Sequence, residues 1–140
     1  VLWPWIADRS VAYVATQPGP AGAGAAFAGE LGISFLLMLT VLTVSNRARL
    51  ARFTGLAAAV LVACFITFEA PLSGMSMNPA RTFGPSVIGG VAHGLWLYFI
   101  APPLGMLVAA EVYTRLTGRA VRCAKLQHTL PCIFCQRATT

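Results

Sequence analysis

The stretch Gly74-Met75-Ser76-Met77-Asn78-Pro79-Ala80-Arg81-Thr82-Phe83-Gly84-Pro85 places a helix start and an arginine between two long apolar runs. Asn is among the best N-caps, and Pro suits the first helical position, where its missing N–H costs nothing. A helix is therefore predicted to begin at Asn78, and Gly84, Pro85, Gly89 and Gly90 predict its early end. About ten residues rise about 15 Å, half of a hydrocarbon core about 30 Å thick. Such a helix enters a membrane without crossing it.

The surrounding chain is built for a membrane. Of its 140 residues 57% are hydrophobic and 10% charged, with a mean hydropathy of +0.73; soluble chains run near 25% charged. Apolar runs that are long and do not alternate predict spanning helices rather than a barrel. Three are expected, over residues 23–44, 54–68 and 92–114, the last carrying a kink at Pro102-Pro103. Ahead of them, residues 1–22 mix Trp3, Trp5 and Tyr13 with prolines and one charge pair, as an extracytoplasmic interfacial loop or short lid does. A membrane-embedded unit over 23–118 and a basic, Cys-rich tail over 119–140 complete the division. No charged segment with a cleavage site precedes the first run, which argues against a signal peptide, and Val1 suggests a natural start further upstream.

The net charge of +6 does not point to nucleic acid, because of where the charges lie. Arg47, Arg49 and Arg52 separate the first two runs, and Arg115, Arg119, Arg122, Lys125 and Arg137 follow the third; only Arg9 and Arg81 lie elsewhere. This bias puts the first loop and the tail in the cytoplasm and the 74–85 stretch on the outer side. A cytoplasmic tail argues against structural disulfides among Cys123, Cys132 and Cys135. Three spans put the two ends on opposite sides, the natural unit of an inverted repeat.

The polar residues inside the runs carry the chemistry. A capped half-helix brings unpaired N–H groups and a positive dipole end toward mid-membrane, which repels cations and protons while Asn78 donates to a neutral solute. Arg81, one turn outward, is a second fixed donor and a positive barrier; the alternatives are snorkelling or pairing with Glu69. Glu30 is a carboxylate in mid-span that needs hydrogen-bond donors, or else serves as a proton relay. Glu69 reads as a solvated end at the outer mouth, Glu111 as a helix-surface partner of Arg115, and His93 as interfacial. Small-residue spacings such as Gly29 with Ile33 and Gly55 with Ala59 suit close helix packing.

With these residues in view, Gly74 to Pro85 resembles the second signature loop of the aquaporin (major intrinsic protein) family. Its flanks agree: Glu30, Phe68-Glu69-Ala70-Pro71-Leu72-Ser73-Gly74 and the proline-bearing run from Trp96 to Gly105. The resemblance implies an all-α membrane protein in which three transmembrane helices and one re-entrant half-helix form one half of an aquaporin-like inverted repeat. It implies that Asn78, Pro79 and Ala80 are one of two paired motifs, that Arg81, Met75 and Ile66 belong to the outer filter, and that Glu30 accepts backbone N–H groups and braces the loop. Strict water channels often have His at the position of Ile66. Thr82 after the arginine, Ser86 and the Tyr98-Phe99 pair favour water over glycerol, whereas Pro85 fits glycerol-type members.

The expected activity is passive passage of water, without a cofactor, catalytic residue or covalent step. Small neutral solutes such as glycerol, urea or ammonia are the alternative. The partners implied are the lipid bilayer, a missing N-terminal half with the other Asn-Pro-Ala, and further copies in a homotetramer. A third reading, a non-conducting chain with a metal-binding tail, rests on Cys123, His128, Cys132 and Cys135, soft donors at a spacing that suits zinc; its alternative is a disordered tail with reactive or lipid-modified cysteines.

Overall fold

The computed structural model describes residues 15–47, 49–91 and 93–118. Within them the chain is helical, without strands. Helix α1 spans Gly22–Ser45, a short 3-10 turn covers Ala51–Phe53, and α2 spans Thr54–Phe68. A single turn, α3 (Ala70–Ser73), leads to α4 (Pro79–Gly89) and then α5 (Leu95–Thr117). Three helical segments are long and apolar enough to cross a membrane: Gly22–Ser45, Ala51–Phe68 and Leu95–Thr117. At 1.5 Å per residue, α1 and α5 reach about 35 Å and α4 only about 16 Å. The half-length helix expected after Asn78 is present and runs on to Gly89.

Glycine and asparagine set the helix ends. Asn46 follows α1, and its side-chain amide donates to the Leu42 carbonyl at 2.8 Å, taking up an end carbonyl. Gly90 and Gly118 close α4 and α5 in the left-handed conformation, at φ of 66° and 61°. Gly94, at φ 80°, holds the entry to α5 and starts that span later than the apolar run suggests. Pro102 and Pro103 lie inside α5, which continues through them as one helix from Leu95 to Thr117.

The most extensive helix contact is between α1 and α5. Its close approach depends on Gly105, where a Cβ would collide with the Leu31 carbonyl oxygen and crowd the Phe35 nitrogen. Leu97 and Tyr98 pack on Ala26, with Phe27 and Trp96 stacked at 6.0 Å beside them. A second cluster joins Ile33 of α1, Phe65 of α2 and Met75 of the loop. Gly29 also faces a neighbour, the Glu69 carboxyl and Leu72. Gly55, expected in a packing seam, looks into open space. The large apolar residues left exposed, among them Leu56 and Val60 on α2, Phe83, Val87 and Ile88 on α4, and Leu104 and Leu107 on α5, suit lipid or protein neighbours rather than water.

The two glycines predict opposite outcomes for one methyl group. Gly105→Ala pushes backbone against backbone and is expected to destabilise by about 1–3 kcal/mol, whereas Gly55→Ala is expected to stabilise α2 by up to about 1 kcal/mol. Thermal unfolding of the two variants in one detergent checks the signs.

Candidate functional site

Between α3 and α4 the chain makes five residues of irregular backbone, Gly74 to Asn78. Gly74, at φ 83°, ends α3, and its N–H bonds the Ala70 carbonyl at 2.8 Å. A Cβ there would strike the methyl of Thr16. Residues 15–21 lie alongside, pinned where the Gly19 N–H donates to the Leu72 carbonyl at 2.9 Å. Met75 and Met77 both adopt positive φ, 50° and 51°. For side chains with a Cβ this conformation costs about 1–2 kcal/mol per residue, so something must hold it.

Glu30 is what holds it. Its side chain is 0% exposed. Oε1 accepts the Ser76 N–H at 2.5 Å and the Ser73 hydroxyl at 3.0 Å, and Oε2 accepts the Met77 N–H at 2.8 Å. Hydroxyls extend the brace. Ser73 Oγ accepts the Met75 N–H at 3.1 Å, and Tyr98 from α5 donates to the Ser73 carbonyl at 2.6 Å. Ser76 Oγ donates to the Asn78 carbonyl at 2.9 Å and is hydrogen-bonded to Thr82 Oγ1. Sequence reasoning found Glu30 but not Ser73, Ser76, Thr82 or the hydroxyl of Tyr98. Their signal was a run of buried-capable hydroxyls around a loop whose N–H groups needed partners.

Asn78 starts α4 from an extended conformation, φ −147° and ψ 118°. Its Oδ1 accepts the Ala80 N–H at 2.9 Å, and its carbonyl accepts Arg81 N and Thr82 N at 3.1 and 3.3 Å. Pro79 brings no N–H. The first turn therefore has its donors engaged, contrary to the expectation of unpaired amides. What remains free among the described residues is the Asn78 side-chain NH₂, on an exposed residue. Arg81 is also exposed; Nη1 donates to the Met75 carbonyl at 2.7 Å and lies 3.4 Å from Met75 Sδ. Met75 itself is 1% exposed, its side chain packed on Ile33 and Phe65, so its carbonyl is what Arg81 engages. Ile66, the residue after Phe65, is 54% exposed on α2. Cys123, His128, Cys132 and Cys135 lie outside the described residues.

Glu69 departs from the solvated end expected of it. Both carboxylate oxygens are buried without a hydrogen-bond partner, turned toward Gly29. The neighbouring Ser73 has one hydroxyl proton and gives it to Glu30. Burial pushes the Glu69 pKa above the usual carboxylate range, and the charge of Glu30 adds to the rise. A carboxyl that holds its proton more tightly folded than unfolded contributes no penalty below the unfolded pKa. It weakens the fold as pH climbs from there through the folded pKa.

Two outcomes follow from this geometry. Glu69→Gln is expected to raise the thermal midpoint at pH 7–8 and to leave it nearly unchanged at pH 4, read by unfolding in detergent across pH. Glu30→Ala strands two buried N–H groups at about 1–3 kcal/mol each. Amide hydrogen exchange at Ser76 and Met77 is expected to speed up at least tenfold, with α1 and α5 little changed.

Comparison with known proteins places the chain in a family. The profile described as major intrinsic protein matches residues 6–113. Among curated proteins, aquaporin NIP1-2 of Oryza sativa subsp. japonica is 42% identical over 108 residues, covering 74% of this chain and 35% of its own length. Aquaporin NIP2-2 of Zea mays is 38% identical over 97 residues, covering 69% of this chain and 33% of its own. The Nicotiana alata protein named probable aquaporin NIP-type is 37% identical over 114 residues, covering 79% and 42%. The chain thus spans less than half the length of these relatives. With three membrane-crossing helices, a braced loop opening on Asn-Pro-Ala-Arg and a profile match over most of its length, this chain is an integral membrane protein of the major intrinsic protein family.

Proposed function

We propose that the chain supplies one half of a passive membrane channel for water. The observation that carries this reading is the pair of free donors at the start of a half-length helix: the Asn78 amide, left open because its oxygen caps Ala80, and the Arg81 guanidinium, steadied on the Met75 carbonyl. Water can exchange bonds between such donors without covalent chemistry. The positive end of α4 and the Arg81 charge oppose protons and cations at the same place. Arg81, the Met75 carbonyl and Ile66 would form the outer constriction, with Asn78, Pro79 and Ala80 at mid-pore and Glu30 behind them.

The names of the relatives support a channel of the aquaporin type. The arginine-rich loop after α1 supports a cytoplasmic position for that loop and the tail, with residues 74–85 on the outer side. A second Asn-Pro-Ala from a complementary half, and assembly as a homotetramer, complete the proposal. Small neutral solutes are the second reading, favoured by one observation: the exposed side chain at position 66 is aliphatic and offers no hydrogen bond.

Stopped-flow shrinkage of proteoliposomes holding the full-length gene product, in a sucrose gradient and then in a glycerol gradient, separates the two. Fast water flux with glycerol flux at the lipid background is expected. Arg81→Val is expected to keep water flux within about threefold while raising glycerol and proton leak about tenfold or more, the loss of one charged donor being worth at least that factor. Unchanged leak and selectivity in Arg81→Val would remove Arg81 from the filter.

A further inference from the structure

The opposite end of the helix bundle carries a groove that the channel reading does not use. It lies between the last turns of α1 and α5 and has a volume of about 490 Å³, within the range of about 300–1,000 Å³ usual for small-molecule sites. One wall is Leu39, Thr43, Asn46 and Arg47, a single stripe along the end of α1; the other is Tyr113, Leu116 and Thr117 of α5. The stripe is graded. Leu39 is deepest in the span, Thr43 is one turn on, and Asn46 and Arg47 stand just past the last helical residue, Ser45. From Leu39 to Arg47 the wall rises about 12 Å.

We propose that this groove binds an anionic phospholipid, its phosphate on Arg47 and one acyl chain along Leu39 and Leu116. Arg47 is exposed and makes no ion pair among the described residues, where the one pair is Glu111 with Arg115. Arg47 is followed by Arg49 and Arg52, and among the described residues no acid lines the groove. A guanidinium there presents its fork to phosphate oxygens.

Tyr113 is the second observation. It is 7% exposed, lines the groove, and its hydroxyl makes no hydrogen bond among the described residues. The ring is enclosed while the hydroxyl itself stays accessible, so a phosphate or ester oxygen in the groove can accept its proton. The carbonyl ends of two helices would ordinarily repel an anion. Here side chains take some of those carbonyls: Asn46 bonds Leu42, and Thr117 bonds Tyr113. The occupant must be apolar at one end and anionic at the other, and must be found where a span meets the membrane surface. That description fits a lipid better than a free phosphate, which leaves the Leu39 end empty.

Native mass spectrometry of the whole chain, released from a maltoside, reads the binding directly. Phosphatidylglycerol and phosphatidylcholine with identical acyl chains are the probes, and glycerol 3-phosphate at millimolar concentration is the competitor. Phosphatidylglycerol is expected to bind about tenfold more tightly than phosphatidylcholine, the equivalent of one charge-assisted hydrogen bond. Arg47→Gln, on an exposed residue that the fold does not need, is expected to abolish that preference, and Tyr113→Phe to weaken it about threefold. Arg52→Gln is expected to leave it unchanged, because Arg52 is held over the Phe53 ring at 4.6 Å. Thr43→Trp, which fills the groove, is expected to displace the lipid. Equal binding of the two lipids, a preference that survives Arg47→Gln, or retention in a folded Thr43→Trp would overturn the proposal; so would full displacement by glycerol 3-phosphate, which would make the site one for free phosphate.

Discussion

The carboxylate of Glu30 is the interaction on which the loop from Gly74 to Asn78, and with it the start of α4, depends. It comes from mid-span in α1 and meets the N–H groups of Ser76 and Met77 and the hydroxyl of Ser73. Without it, a loop with two positive-φ methionines would have neither a reason to hold its shape nor partners for its donors. A buried carboxylate is expensive alone, and irregular backbone in a membrane is expensive alone. Each supplies what the other lacks, so the two are stable together. Tyr98 then fixes the loop to α5 through the Ser73 carbonyl, and the α1–α5 contact at Gly105 sets how near α5 can come.

This brace determines what α4 can offer. The Asn78 oxygen is consumed in capping Ala80, so only the amide NH₂ is left over. The Met75 carbonyl, turned outward by its positive φ while its side chain packs inward, becomes the acceptor for Arg81. Backbone strain in Met75 is thus tied to the position of the arginine. A more relaxed backbone would change the direction of that carbonyl and leave Arg81 without its anchor. Amide donors turned inward to Glu30 and a carbonyl acceptor turned outward to Arg81 are two results of one loop conformation.

Much of this was legible in the chain itself. Three apolar runs gave the spans, and Asn78-Pro79 gave the half-helix, because N-capping and the missing N–H of proline are local properties. Glu30 stood out because a carboxylate in an apolar run demands donors. Glu69 differs for a reason of the same kind: its place at the end of a span looks solvated, whereas its carboxyl lies against Gly29 of α1. The end of α5 was placed too early, because Gly94 and Gly118 set that helix by their left-handed backbone rather than by hydropathy. Gly105 was passed over and Gly55 overvalued because a small residue does not announce which face of its helix it occupies. The free amides expected at the start of α4 are not there, since the side-chain oxygen and carbonyl of Asn78 take up the N–H groups of Ala80, Arg81 and Thr82.

The exposed surface of α4 closes the argument about its surroundings. Phe83, Val87 and Ile88 are open, and Phe83 meets Phe99 edge-on at 6.2 Å. Lipid could cover these apolar groups without penalty. It could not cover the Asn78 amide or Arg81, which lie at the start of the same helix and would be stranded in hydrocarbon. If α4 enters the bilayer as its length and cap suggest, the side bearing those two donors has to face water or protein. The same α4 therefore needs an apolar neighbour, lipid or protein, for its phenylalanine and aliphatic side chains, and water or a hydrogen-bonding protein surface beside its amide and guanidinium.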